Sequence, residues 1–328
     1  MYNAEKYVDN VFKNLFQQTY KNIEVIVAYD TKTTDNTLSK LHEIHKRHAN
    51  IPIIIDIDCD TSSGAARNRG LKLARGEFVI FVDADDEFLP DYLTSFLEIY
   101  DADPELEVAC CSIRVTPENK LDKMRNEMIS TTGDIVFYNQ NEAYLLKATS
   151  QISNGPWAYM IRRQYIDKYN ILYPDYNMRD DHVFTFRLLE YTDKLGRNTK
   201  PVYLYMQRPG SIVHSDFAKT SDKLLQSRID IRKILERNNK NALIEWEIRE
   251  NQLIASGFAC KYNYRDYKEA LNNAGIRKLS LSNYPLPRLK KISVIIFNHS
   301  KLLYYYGTRI INVRQNNLKF RRIWKNYK

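Results

Sequence analysis

The sequence predicts an α/β fold in which a mostly parallel sheet lies between flanking helices and is followed by a mainly helical region. In the first half, apolar runs typical of strands alternate with helical spacing, and the links between them are short. Beyond Phe217 the pattern is helical, as over residues 224–235 and 242–260. We therefore expect a first domain over residues 1–214 and a helical C-terminal region over residues 215–328.

The individual elements follow from hydrophobic periodicity along the chain. Strand patterns, which are apolar runs bounded by polar residues, cover residues 22–29, 51–57, 77–83 and 106–115. Helical patterns, with apolar residues three or four positions apart, cover residues 4–18, 34–48, 64–75 and 91–100. Residues 116–215 are less regular and contain short strand patterns at 157–161 and 201–207. The segment 291–297 is consistent with a strand or a helix, and we favour the helix.

Composition limits the class of protein. The 328 residues are 44% apolar, which is enough for a packed core and argues against disorder. The four cysteines show neither a C-x-x-C pair nor the spacing of a zinc site, so we interpret them as free thiols in a reducing cytosol. No apolar run approaches the roughly 18 residues of a membrane span, and no signal peptide opens the sequence. These features predict a cytoplasmic protein.

The net charge of +9 arises from the C-terminal tail. From Arg277 onward there are 13 lysines and arginines and no acidic residue, whereas the preceding part has 36 basic residues against 40 acidic ones. The tail interleaves its cations with Ile, Leu, Tyr and Trp324, a composition that suits an anionic membrane surface. A helical cap with a solvated basic face, or a contact between two copies of the chain, is the alternative. We expect no nucleic-acid partner.

An acidic cluster directly follows the third strand pattern. After Phe78–Val82 come Asp83, Asp85, Asp86 and Glu87, at the end of the sheet where ligands bind in folds of this class. Carboxylates, together with water and phosphate oxygens, are the ligands that Mg²⁺ and Mn²⁺ prefer. The alternative is an acidic helix start, because negative side chains are also favourable near a helix N-terminus.

Other polar residues end strand patterns or begin helical ones. Asp30 ends the first strand pattern, and Arg67 lies in a Gly-containing helix start that would suit an anionic nucleotide. Asp180 and Asp181 precede an apolar helical pattern, and one of them would suffice as the N-cap. The second therefore suggests a carboxylate kept for proton transfer. Arg208, before a Pro-Gly turn, could clamp a phosphate, although helix capping and solvated arginines explain the same residues without a ligand.

Taken together and in order, these segments resemble the glycosyltransferases of family 2, which are inverting, metal-dependent enzymes of the GT-A type. The matching segments are Tyr2–Tyr7, Gln18–Tyr20, Asn22–Glu24, Gly64–Gly70, Phe81–Asp86, Asp180–Phe184 and Arg208–Ile212. The resemblance implies a Rossmann-like GT-A domain over residues 1–214. It also implies transfer of a sugar from a nucleotide-diphosphate sugar, which we expect to be a UDP-sugar, to a hydroxyl of a lipid- or protein-linked glycan.

The resemblance assigns a role to each matching residue. Those that would bind the nucleotide donor are Tyr2, Glu5, Asp30, Arg67, Asp83 and Arg208. Asp85, with Asp83 and His214, would hold a Mn²⁺ or Mg²⁺ ion. Asp181 would be the base that takes the proton from the acceptor hydroxyl, next to Asp180 and Trp157 as acceptor contacts. Trp157 is equally explained as a core aromatic, and His214 as an ordinary loop histidine.

Two departures from the family pattern stand out. The family's first strand, normally just before Tyr2, is absent from this sequence, so another segment should take its place. Ile292–Ile296 resembles that strand in type, which we interpret as coincidence. The family's V-D-D-G-S-x-D reads Tyr29–Asp35 here and lacks the second Asp and the Gly.

These departures leave two functional hypotheses. The first is an enzyme of cell-surface polysaccharide or glycoprotein glycan synthesis, associated with the inner membrane face through its tail or assembled as a homo-oligomer. The second is a catalytically impaired scaffold of the same fold that binds a partner or a membrane. The presence of Asp83, Asp85 and Asp181 together favours the enzyme.

Overall fold

The computed structural model describes residues 1–48, 51–58, 62–117, 120–176, 179–207, 224–261, 263–279 and 288–309. Its strands are β1 (Val25–Asp30), β2 (Ile53–Asp58), β3 (Phe78–Ile80), β4 (Glu87–Phe88), β5 (Val108–Pro117), β6 (Ile135–Asn139), β7 (Tyr159–Arg162) and β8 (Lys194–Gln207). The helices before residue 208 are α1 (Glu5–Phe16), α2 (Thr37–Arg47), α3 (Ser63–Leu73), α4 (Tyr92–Ala102), α5 (Leu121–Ile129), α6 (Gln140–Ala148), α7 (Arg163–Tyr169) and α8 (Asp180–Arg187). The C-terminal helices are α9 (Leu224–Asn238), α10 (Lys240–Lys261), α11 (Tyr264–Asn273) and α12 (Arg288–His299), with a further helix over 301–309.

The strands form two sheets. β1 and β2 pair in parallel, from Val25 opposite Ile53 to Asp30 opposite Asp58. The larger sheet has the order β3-β7-β5-β8-β4, and β6 pairs with the first part of β8. Helices of the first half pack against these strands, and helices follow them. The predicted α/β class and the helical C-terminal region are therefore confirmed.

The sheet is mixed, although the sequence pattern predicted a mostly parallel one. The parallel pairs are β1–β2 and β5–β8, whereas β3–β7, β4–β8, β5–β7 and β6–β8 are antiparallel. Every antiparallel pair includes a strand that follows β5. The regular alternation of strands and helices ends at β5, and only such alternation requires parallel neighbours.

Residue Met1 covers part of the edge of β1 that faces away from β2. The Met1 carbonyl accepts a hydrogen bond from the Asp30 N–H at 3.0 Å, and its amino group contacts the Ala28 carbonyl. Within the described ranges, no strand lies between β1 and β3, each of which pairs on one side only. Ile292–Ile296 belongs to helix α12, as favoured from the sequence, and does not replace the family's first strand.

The buried apolar residues that the structure describes form a main core, a second, C-terminal core and a small third cluster around α5 and β8. The main core lies between the sheets and the helices, and it includes Ile231 and Leu235 of α9 and Trp246 of α10. The second core contains Ile254 of α10 and Phe297 of α12. Helix α10 is therefore shared by both cores. The predicted domain boundary after residue 214 lies outside the described residues.

No helix within the described ranges is both long enough and apolar enough to cross a membrane.

Candidate active site

The candidate active site lies where α3, the turn after β3 and the start of α8 meet. Arg67 of α3 joins the other two segments. One guanidinium nitrogen, Nη2, donates to Asp83 Oδ1 at 3.0 Å, and the other, Nη1, donates to Asp180 Oδ2 at 3.4 Å. Ser63, at the start of the same helix, donates its hydroxyl to Asp180 Oδ2 at 3.0 Å. Residues separated by more than 100 positions are thus brought together.

Arg67 is a permanent cation in this cluster. Its side chain is 20% exposed, and it lies over the ring of Tyr173 at 5.4 Å from the guanidinium carbon. Burial opposes its charge, but the nearby carboxylates, Asp83 first among them, raise the pKa of Arg67 above its usual value. The opposite charges compensate each other, which allows all of them to lie partly out of water.

Close packing of α3 against the segment before α8 explains two other residues of the matching segment Gly64–Gly70. A Cβ atom at Gly64 would lie 2.8 Å from the Pro174 carbonyl oxygen and 3.2 Å from Asp180 Oδ2, so only glycine fits. Asn68 donates to the Tyr173 carbonyl and accepts from the Tyr173 N–H, both at 2.9 Å. These contacts of Gly64 and Asn68 therefore fix the position of the segment that leads to the acidic pair, Asp180 and Asp181.

Asp181 differs from Asp180 in its environment. Asp180 is 5% exposed and bound by Ser63 and Arg67, whereas Asp181 is partly exposed and accepts a hydrogen bond from the His182 N–H at 2.8 Å. Burial, followed by the charge of Asp180, raises the pKa of Asp181 to about 6. A carboxyl with this pKa is ionised at neutral pH and is a stronger base than an ordinary aspartate.

Asp180 is not the N-cap of α8, the role that the alternative interpretation gave to one of the two aspartates. Helix α8 begins at Asp180, and the residue before it, Arg179, is in the left-handed region with φ 61° and caps with no side-chain hydrogen bond. The Asp180 carboxylate instead points to α3. Its contacts with Ser63 and Arg67 explain why the sequence has two adjacent aspartates: one holds the helix start in place and the other remains partly exposed.

The acidic cluster after β3 divides into two structural and two partly exposed residues. Asp86 is 1% exposed and accepts hydrogen bonds from the Tyr203 hydroxyl and the Met206 N–H, both at 2.8 Å. Glu87 is 5% exposed and accepts a hydrogen bond from Asn10 at 2.7 Å, besides its contact with Arg125. These two acids fix the turn to the sheet and to α1.

Asp83 and Asp85 are the residues of this cluster that could hold a divalent cation. Both are partly exposed, on a turn closed by the Asp86 N–H and the Asp83 carbonyl at 3.3 Å. Two carboxylates suit Mg²⁺ or Mn²⁺, since these ions commonly take their remaining ligands from phosphates and water. Within the described part of the chain, no three His, Cys, Asp or Glu side chains form a metal-binding group. Asp83 and Asp85 fit as the protein ligands that such an ion would take.

The residues predicted to line the nucleoside pocket lie at the end of β1. Glu5 accepts hydrogen bonds from the Asn36 N–H and side chain, at 3.2 and 3.1 Å, and Asp30 accepts from the Lys32 N–H at 2.9 Å. Tyr2 is 60% exposed. Arg69 of α3 donates to the Tyr29 carbonyl at 3.2 Å, so the same helix that carries Arg67 also contacts this strand end.

Trp157 lies in the core, which corrects its predicted contact with the acceptor. It is 6% exposed, and its ring stacks on Tyr203 and Tyr205, with centroids 4.5 and 5.4 Å apart. A sugar ring has no access to so buried a face. Trp157 instead supports Tyr203, the residue that binds Asp86.

Two predicted site residues, Arg208 and His214, lie outside the described residues.

Tyr173 was missed by sequence reasoning, because it lies in an irregular stretch where no motif singles it out. It stacks on Phe184 at 3.9 Å beneath Arg67, and its buried hydroxyl has no hydrogen-bond partner among the residues described.

The class of protein follows from this fold and from the sequence comparisons. The chain matches the family described as glycosyl transferase family 2 over residues 1–169, which is more than half of its length. It therefore belongs to glycosyltransferase family 2, and the resemblance found in its motifs is confirmed.

Two relatives illustrate the similarity in sequence. EpsH of Bacillus subtilis is 26% identical over 249 residues, which are 73% of this chain and 68% of EpsH. TarS of Staphylococcus aureus, a poly(ribitol-phosphate) β-N-acetylglucosaminyltransferase, is 24% identical over 295 residues, which are 84% of this chain and 47% of TarS. The matched stretch thus spans less than half of TarS.

Solved structures confirm the GT-A fold. TarS residues 1–349 in complex with UDP-GlcNAc superimpose with a TM-score of 0.64 at 20% identity, covering 98% of this chain and 90% of the TarS chain. The mannosyltransferase PcManGT of Pyrobaculum calidifontis, in complex with GDP-Man and Mn²⁺, has a TM-score of 0.55 at 16% identity and covers 95% and 85% of the two chains.

The anchoring role of Asp86 can be tested by substitution. Burial raises the pKa of Asp86 to about 8, so the carboxyl is mostly protonated at neutral pH and asparagine resembles it closely. Asp86→Ala should lower the free energy of unfolding by about 1–3 kcal/mol, because the Met206 N–H and the Tyr203 hydroxyl lose their buried partner. Asp86→Asn should cost less. Urea unfolding measures both, and equal losses would contradict the anchoring role.

Proposed function

We propose that this chain is an inverting transferase that moves a sugar from a nucleotide-diphosphate sugar, specifically a UDP-sugar, to a glycan hydroxyl. The observation that carries the proposal is the convergence of Asp83, Asp180 and Asp181 on Arg67, with Asp181 alone free of a side-chain ion pair to Arg67. Such a cluster combines Arg67, which can bind a diphosphate, with Asp181 as a separate carboxylate base. The UDP-GlcNAc complex of TarS supports the choice of donor.

The proposed chemistry is a single displacement. Asp181 accepts the proton of the acceptor hydroxyl while the oxygen bonds to the anomeric carbon, and the bond from that carbon to the diphosphate breaks with its electron pair. Attack from the face opposite the leaving group inverts the configuration. Asp83 and Asp85 would hold a Mn²⁺ or Mg²⁺ ion, whose charge offsets that of the departing diphosphate.

The other site residues bind and orient the donor. Tyr2, Glu5 and Asp30 at the end of β1 are proposed for the nucleoside, and Arg67 with Arg208 for the phosphates. Asp180 holds the start of α8 against α3 and is proposed as an acceptor contact. Because α9 and the first half of α10 belong to the main core, the functional unit we propose includes residues after 214.

We also propose a peripheral contact of the C-terminal helices with an anionic membrane surface. Ile295 of α12 is 51% exposed, and Leu303 and Tyr306 of the helix over 301–309 are 65% and 54% exposed. These apolar side chains lie in a stretch that has cations and no acidic residue. An exposed apolar face with a purely basic charge is complementary to anionic lipid head groups. We expect the chain to lie on the inner face of the membrane.

The role of Asp181 can be tested by its pH dependence. Because its pKa is raised to about 6, the ionised base is lost as the pH falls through this value, and turnover should fall with it. Asp181→Asn should lower kcat by about 10²–10⁴-fold while UDP affinity is retained. Asp167→Asn, an exposed acid on α7, is the matched control. Unchanged turnover in Asp181→Asn would remove Asp181 as the base.

Cation-dependent donor binding can be tested by titrating UDP with and without Mn²⁺. The ion should raise UDP affinity, and Asp85→Ala should abolish that increase because one of two carboxylate ligands is lost. Asp167→Ala should not. Binding of UDP that is indifferent to the ion would remove the cation from the proposal, and no binding under either condition would favour the scaffold. A panel of nucleotide sugars, assayed for donor hydrolysis, then identifies the sugar.

The membrane contact can be tested with vesicles of phosphatidylglycerol and of phosphatidylcholine. The chain should sediment with the anionic vesicles, and Ile295→Asp with Leu303→Asp should weaken this binding about tenfold. Ile129→Asp, at a residue that is 58% exposed on α5, makes the same change elsewhere. Dissociation of a dimer by the double variant, with lipid binding unaltered, would instead assign the face to a second copy of the chain.

A further inference from the structure

The residue before the acidic pair is held in an unusual backbone conformation. Arg179 has φ 61°, a left-handed conformation that costs an ordinary residue of the order of 1–2 kcal/mol. It directly precedes Asp180, the first residue of α8, so its conformation sets the direction in which the helix and its two aspartates leave the preceding segment. Such a conformation persists only where surrounding contacts impose it.

Arg179 forms a buried ion pair with the C-terminal region. Arg179 donates Nη1 to Glu250 Oε2 at 2.5 Å and Nη2 to Glu250 Oε1 at 2.7 Å, and Glu250 lies on α10. The two side chains are 12% and 6% exposed. Two parallel hydrogen bonds between a guanidinium and a carboxylate define the orientation of both groups, which a single contact would not.

Arg179 is also connected to Asp181, through His182. Its third nitrogen, Nε, donates to His182 Nδ1 at 3.1 Å, and the His182 N–H donates to Asp181 Oδ1 at 2.8 Å. Burial and the charge of Arg179 lower the pKa of His182, so the imidazole is neutral and Nδ1 remains an acceptor. Contacts therefore run without a gap from α10 through Arg179 and His182 to the carboxylate of Asp181.

We propose that Glu250 and Arg179 are positioning residues that hold the base carboxylate of Asp181 in its working orientation. Helix α10 of the C-terminal region is then part of the catalytic unit. This inference rests on the proposed function, in which Asp181 accepts the proton of the acceptor hydroxyl. Neither Glu250 nor Arg179 contacts the reacting atoms in this scheme; they act through His182 and through the start of α8.

Loss of Glu250 would disturb the base in a specific way. Arg179 would keep its charge in a buried position without its partner, which is strongly unfavourable. Asp181 is near enough to interact electrostatically with Arg179. The unpaired guanidinium would turn towards that carboxylate and withdraw it from the acceptor. Donor binding, which depends on groups around Asp83, would be spared.

The test compares Glu250→Gln with the full-length wild-type chain in the same transfer assay. A shift of the base by about 1 Å typically costs about 100-fold in rate, so kcat should fall about 10- to 100-fold while the donor KM and UDP affinity are retained. Arg179→Lys, which cannot form both parallel bonds, should show the same pattern. Arg179→Gln combined with Glu250→Gln should recover part of the kcat lost in Glu250→Gln, since the unpaired charge is removed.

Glu190→Gln is the matched control. Glu190 pairs with Arg237 of α9 at 2.7 Å and so also links the C-terminal helices to the first half, but it has no contact with the acidic pair. It should leave kcat unchanged, even where thermal unfolding shows a similar loss of stability. If Glu250→Gln does not fold, Arg179→Lys carries the same comparison.

The outcomes distinguish failure of the positioning role from failure of the proposed function. Wild-type kcat in Glu250→Gln and in Arg179→Lys would overturn the positioning role while leaving the proposed function intact, as would losses that Glu190→Gln shares. Absence of transfer by the wild-type chain with every nucleotide sugar would overturn the proposed function and this inference with it.

Discussion

The site depends on one partly buried cation, Arg67, placed between carboxylates from two distant parts of the chain. Asp83 and Asp180 lie 97 positions apart in sequence, and the Arg67 guanidinium is the counter-charge that both carboxylates contact. Helix α3 provides that charge at the point where it also packs, through Gly64, against the segment that leads to α8. The ion pairs of Arg67 therefore depend on the close packing at Gly64, because both bring α3 against the segment that leads to α8.

The acidic residues of the site differ in exposure and in hydrogen bonding because their surroundings differ. Asp86 and Glu87 are buried and bound to protein donors, whereas Asp83 and Asp85 on the same turn remain partly exposed. The pair at the start of α8 shows the same division, since Asp180 is fixed by Ser63 and Arg67 while Asp181 is more open. In both places a structural acid supports a neighbour that can meet a ligand.

Local pattern predicted much of the fold and of the site, and the failures have physical causes. Periodicity located β1, β2, β3 and β5 but not the two-residue β4. The motif order assigned Arg67, Asp83 and Asp180 to one site, and the structure shows Arg67 bound to both carboxylates, while the roles of these residues stay predictions. Strand direction after β5 depends on long-range pairing, which no local pattern contains. The buried position of Trp157 depends on Tyr203 and Tyr205, nearly 50 positions later. Tyr173 contacts Arg67 and Glu250 contacts Arg179, each across a long separation in sequence, so no sequence motif includes them.

The sharing of α10 between two cores has a consequence for how the molecule melts. Trp246 is packed in the main core and Ile254, only two turns further along, in the other. A continuous helix transmits loss of order along its length, because each turn supports the next through backbone hydrogen bonds. Loss of order in either of these two cores should therefore weaken the other, because both depend on α10.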